Sequence, residues 1–157
     1  MKLFAIFWAV ATATIVSFGG GAHAITAADL VGTWVFKAEA DGPFGAHPAG
    51  MLIFDAGGRF MQMITRTDLP KYAANKREEG TPEEFKATAL GSIAFFGTFT
   101  VNGTTLSRHV EASSYPNMVG ADQALGDLTL SGDELTWTNS ASPVTGGKVI
   151  VSWQKAK

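Results

Sequence analysis

The stretch Phe96-Gly97-Thr98-Phe99-Thr100-Val101-Asn102-Gly103-Thr104-Thr105-Leu106-Ser107-Arg108-His109-Val110-Glu111-Ala112-Ser113 decides the fold. Two runs, Phe96 to Asn102 and Thr105 to Ser113, are rich in the aromatic and β-branched residues that suit a pleated surface. Between them stands Asn102-Gly103, a dipeptide that takes positive φ cheaply and so joins adjacent strands in a tight hairpin. Residues two apart share a strand face. In the second run that puts Leu106, Val110 and Ala112 with Arg108, and Thr105, Ser107, His109, Glu111 and Ser113 on the other side.

Six further runs repeat the pattern outward from this hairpin. Val31 to Lys37 ends at the breaker Asp41-Gly42-Pro43, and Met51 to Phe54 meets Arg59 to Arg66 across Asp55-Ala56-Gly57-Gly58. Leu125 to Leu130, Glu134 to Asn139 and Lys148 to Gln154 complete the set, connected by Ser131-Gly132-Asp133 and a loop containing Gly146-Gly147. Eight short strands joined locally predict an all-β fold, an eight-stranded antiparallel up-and-down barrel whose closure removes exposed sheet edges. One helix interrupts the series between strands 3 and 4. Thr81-Pro82-Glu83-Glu84 combines an N-cap, a proline at the first helical position and a glutamate three residues after the cap. Phe85, Ala89 and Ile93, with Leu90 beside them, form an apolar stripe expected to rest against an open end of the barrel.

The chain before the first strand has a different character. Lys2 precedes an uncharged apolar run of 16 residues, Leu3 to Phe18, then Gly19-Gly20-Gly21 and the small-residue pattern Ala22-His23-Ala24. This is the layout of a secretory signal peptide cleaved after Ala24, and the run is shorter than the roughly 20 residues that span a bilayer. The expected division is a leader, residues 1–24, and a barrel domain, residues 25–157, in a periplasmic or secreted protein with no stable membrane insertion. Removing 24 of the 157 residues leaves 133, with 11 basic and 14 acidic side chains. That balance offers no basic surface for nucleic acid. With no cysteine in the chain, disulfides, thiolate metal sites and cysteine nucleophiles are excluded, and the domain must be stable through its core.

Familiar catalytic templates are missing. The sequence contains no Gly-x-Ser-x-Gly, phosphate loop or Gly-x-Gly-x-x-Gly, and neither a cofactor nor a metal is expected; only His47 and His109 remain after leader removal, too few for a three-histidine site. The mixed strand faces fit a barrel around a pocket. His109 and Glu111 share one face, which is either turned to solvent or turned inward. If inward, Glu111 would fix the imidazole tautomer and raise its basicity, giving a pair able to hold a polar head group or move a proton near neutral pH. Met61 and Met63 suit either core filling or an irregular apolar pocket. Phe95, Phe96 and Phe99 can do the same.

Leu30-Val31-Gly32-Thr33-Trp34 looks like the Gly-x-Trp opening of a lipocalin's first strand. With Gly50-Met51-Leu52-Ile53-Phe54, Gly80-Thr81-Pro82-Glu83-Glu84-Phe85, Phe95-Phe96-Gly97-Thr98-Phe99, His109-Val110-Glu111, Tyr115-Pro116-Asn117-Met118-Val119-Gly120 and Asp122-Gln123, the ordered series resembles the bacterial and fungal lipocalin-like domain family across residues 29–154. The resemblance implies a small barrel with an internal pocket for hydrophobic or amphipathic molecules; some barrels of this shape are cyclases or isomerases. It also places His109, Glu111 and Asn117 on the family's recurrent polar motif. Two departures stand out. The helix lies between strands 3 and 4 instead of after the last strand, and Lys155 is the one candidate for the basic residue that covers the first-strand tryptophan.

The expected function is therefore an exported protein binding a small hydrophobic or amphipathic molecule, with His109, Glu111, Asn117, Arg66, Met63 and Phe99 as ligand-binding residues. The alternative is a cofactor-independent isomerase, cyclase or lyase using His109 and Glu111 as its acid/base pair in the same pocket. A third possibility is an interaction module with a filled core.

Overall fold

A computed structural model describes residues 24–37 and 42–157. The expected leader lies outside the described residues, apart from Ala24. Eight strands form a closed antiparallel barrel in simple sequence order: β1 (Gly32–Lys37), β2 (Pro48–Phe54), β3 (Arg59–Arg66), β4 (Ser92–Asn102), β5 (Thr105–Ser113), β6 (Asp122–Ser131), β7 (Glu134–Asn139) and β8 (Val149–Lys155). Closure comes from β1 against β8, with Trp34 opposite Lys155 and Phe36 opposite Trp153.

The strands run alternately up and down, so the loops sort into two ends. At one end are the tight hairpins. Gly103 (φ +58°) and Gly132 (φ +57°) each occupy the first of two loop residues, between the pairs Asn102↔Thr105 and Ser131↔Glu134. Positive φ at that position alone is the signature of a type II′ turn, and Asn102 stays in its strand. A short helix, α1 (Ala27–Leu30), covers the same end. Its terminal Leu30 is fully buried, and its carbonyl accepts a hydrogen bond from Trp34 Nε1 at 2.8 Å. Lys155 lays its ammonium 4.7 Å from the centre of the Trp34 ring and donates to the Val31 carbonyl at 3.1 Å. The single basic candidate near the chain end therefore does cover the first-strand tryptophan. Trp34, Leu52, Leu106, Leu135 and Trp153 are wholly excluded from solvent, and they fill this closed end.

Three strands start earlier than the apolar runs suggest. β2 begins at Pro48, where a missing N–H costs little at a strand's first residue. β6 begins at Asp122, and β4 follows the helix directly at Ser92, so that Ile93 and Phe95 extend the inward row of Phe99.

The helix α2 (Pro82–Gly91) starts as its capping signals require: Glu84 N donates to Thr81 Oγ1 at 3.2 Å, and Thr81 N donates to Glu84 Oε2 at 2.8 Å. It stands at the open end, between the top of β3 and the top of β4. Its expected apolar stripe is not buried, however. Phe85 and Leu90 are 42% and 69% exposed, and Ile93 belongs to β4. The helix ends at Gly91, so the four-residue spacing is cut before it can form a face. It is held instead by the preceding loop, through the edge-on Tyr72–Phe85 ring contact, a Tyr72 hydroxyl to Thr88 Oγ1 hydrogen bond of 3.2 Å, and Ala73 N donating to Glu84 Oε1.

Candidate functional site

The inward residues of the upper barrel leave a cavity of about 150 Å³, open to solvent between the loops that precede β2 and β8. An apolar space of that size holds a body the size of benzene. Phe36, Phe44, Ile64, Ile93, Met118 and Trp137 are among the residues of its apolar wall. Gln62, Arg108 and Gln123 also line it.

Alternation explains how these polar groups come to be inside. Arg108 lies between Leu106 and Val110 on the inward row of β5, and Gln62 lies between Phe60 and Ile64 on the inward row of β3. The register sets Gln123 of β6 directly opposite Arg108. Arg108 is only 4% exposed. Its Nη1 donates to Gln62 Oε1 and its Nη2 to Gln123 Oε1, both at 2.8 Å, while Nε has no partner. The guanidinium carbon sits 5.0 Å from the ring centre of Phe60, 5.2 Å from Phe95 and 5.5 Å from Trp137. No Asp or Glu lines the cavity among the described residues, and the other lining cation, Lys37, is paired with Glu134 at 2.8 Å. Burial lowers the Arg108 pKa from the usual guanidinium range to about 9, which still leaves it cationic at neutral pH.

None of the six residues singled out in the sequence lines this cavity, although Phe99 does face the barrel interior. His109 and Glu111 are on the outer wall, one residue out of phase with Arg108. His109 Nδ1 is 2.7 Å from Asp122 Oδ1, and the pair edges a shallow outer depression with Thr98, Thr100, Ser107 and Ala124. Glu111 pairs with Arg59 through both carboxylate oxygens, at 2.5 and 3.3 Å, and this ion pair raises the Arg59 pKa. His109 and Glu111 therefore neither touch each other nor reach the cavity, which corrects the expectation of an inward acid/base pair.

Asn117 is exposed in the turn Pro116–Met118, whose inward member is its neighbour Met118. Arg66 is exposed at the open end, clamped by Asp68 through two 2.8 Å hydrogen bonds that raise its own pKa and lower that of the carboxylate. Met63 is 43% exposed on the outer wall, opposite Met51 on one side and Ala94 on the other. Phe99 does face inward, but its ring packs at a tilt against Phe54, 4.5 Å between centres, in the packed interior and does not line the cavity.

The polar cluster that does line the cavity was visible as a pattern. A charged residue set between Leu106 and Val110, and a glutamine set between Phe60 and Ile64, break otherwise apolar rows. Those interruptions are the signal for a polar group inside the barrel, whereas the chemistry of His109 and Glu111 and their place on the family's polar motif say nothing of which way they face.

Comparison with known proteins agrees with the architecture. No curated protein matches the chain. A lipocalin-like domain model matches residues 29–156, from the last turn of the covering helix to the end of β8, well over half of the sequence. The chain belongs to the lipocalin-like domain family.

Proposed function

We propose that the protein is an exported carrier, periplasmic or secreted, that holds one small amphipathic molecule at the open end of its barrel. The observation that carries this reading is the cavity itself: an apolar wall that reaches solvent at the mouth and ends on a few convergent polar groups, the usual make-up of a small-molecule site. Export is supported by the leader-like residues 1–24, and the closed end supplies the stability that a cysteine-free exported domain needs.

Native mass spectrometry of the protein purified from its own host tests the reading. A retained small molecule is expected in the wild type, and Val151→Trp, which fills the cavity from its β8 wall, should release it. A wild-type protein that is empty and takes up no uncharged apolar probe in solution would overturn the proposal.

A further inference from the structure

We infer that the cavity selects amphiphiles carrying an anionic head, and specifically small hydrophobic carboxylates anchored on Arg108. The inference rests on the carrier reading and adds the chemical class of the cargo.

Consider what the floor of the cavity offers. Gln62 and Gln123 could each present an acceptor and two donors, but both spend their side-chain oxygen on the Arg108 guanidinium. What remains on each is its amide NH2 and one lone pair of an oxygen already aimed at a cation. Arg108 has five N–H donors, of which two are used, and its Nε is buried with no partner at all. On these three side chains the donors left over therefore outnumber the acceptor sites left over. An ammonium head would meet a like charge, and a hydroxyl head could accept from an N–H but would bring no charge to offset the guanidinium. A carboxylate brings two oxygens and four lone-pair sites with a full negative charge.

The aromatic rings shape the approach. Phe60, Phe95 and Trp137 surround the guanidinium, so its remaining access is through the in-plane N–H groups. That fork is the geometry that matches a carboxylate. A buried cation left without a counter-charge is also costly, and a well-packed apolar residue in its place would avoid that cost. An anion delivered by the ligand removes that penalty at the moment of binding. The volume limits the size of the cargo: about 150 Å³ accepts a ring or a short chain, with any further length leaving through the mouth.

Isothermal titration of the full barrel with octanoate, 1-octanol and octylammonium tests the inference. The three share one tail and differ only in the head. Octanoate is expected to bind at least tenfold more tightly than octanol, and octylammonium more weakly than either. In Arg108→Met the octanoate preference should vanish while octanol affinity stays within about threefold. Octanoate and octanol binding equally to the wild type would overturn the anion inference and leave the carrier reading standing. No binding by any of the three would overturn both. The wild-type comparison needs no variant, and Arg108→Lys, which keeps the charge and loses the fork, should retain part of the preference if Arg108→Met does not fold.

Discussion

Arg108 spends its life among aromatic rings and two glutamine oxygens, with no carboxylate facing it from β3, β4, β6 or β7 among the described residues. The cost has a definite pH signature. Because burial depresses the folded-state pKa from the usual guanidinium range to about 9, the unfolded chain binds one more proton than the folded protein above about pH 9, and stability rises with pH from there until the unfolded chain also loses its proton. Below about 9 both states carry the proton and the full penalty is present. The unliganded Arg108→Met variant should therefore be more stable than wild type near neutral pH, by about 1 kcal/mol or more even after two glutamine oxygens lose their donor. Urea unfolding at increasing pH should show this advantage shrinking above about 9; a difference that stays constant would mean that Arg108 is not titrating as a buried cation. The same residue shows where sequence reading stops. Leu106 and Val110 mark the inward face of β5, but Arg108 between them blurs the alternation, and the sequence alone left the facing of His109 and Glu111 open. Whether a polar residue on either face meets a cavity depends on partners 46 and 15 positions away, Gln62 and Gln123, and no local pattern reports them.

At the level of elements, the hairpins were the most legible part of the chain, because a turn glycine and the runs beside it are local facts. Strand starts hidden in Pro48-Ala49-Gly50 and Ser92-Ile93-Ala94 were not, since their ladder partners, rather than their own propensities, make them strands. The β4–β5 pair carries a further device. Its register shifts between Phe96 and Gly97, leaving Glu111 without a partner opposite, and a Cβ at residue 97 would run into the His109 carbonyl and crowd Glu111 N. A bulge of this kind bends the strand and raises its twist, which helps a small barrel close. Gly97→Ala should therefore cost about 3 kcal/mol or more, at the upper end of overpacking effects, because backbone rather than a flexible side chain must move. Thr81→Ala should cost only about 1 kcal/mol, the loss of an N-cap on a helix whose apolar residues are largely exposed. Denaturant unfolding of the two variants checks both magnitudes, and a larger loss for Thr81→Ala than for Gly97→Ala would reverse the ranking of bulge over cap.

Taken as a whole molecule, the barrel divides its labour between its ends. The closed end holds the fully buried Trp34, Leu52, Leu106, Leu135 and Trp153 under α1, and Lys155 N adds a 2.7 Å hydrogen bond to the Asp133 carbonyl across the β7–β8 seam. The open end gives up that packing for a cavity, and the buried polar cluster sits at the boundary between them. Stability and binding should accordingly respond to different substitutions, since well-separated sites with no shared partners contribute almost additively. Leu135→Ala removes a fully buried side chain at the closed end and should lower stability by about 2–5 kcal/mol. Where it remains folded, its octanoate affinity should stay within about threefold of wild type. Val151→Trp, on a half-buried wall of the cavity, should do the opposite, abolishing octanoate binding while leaving the urea midpoint nearly unchanged. Paired unfolding and titration measurements on both variants and on the double variant decide the matter. If Leu135→Ala weakens binding as much as Val151→Trp does, the two ends form one cooperative unit, and the cavity is sustained by the very packing that closes the barrel.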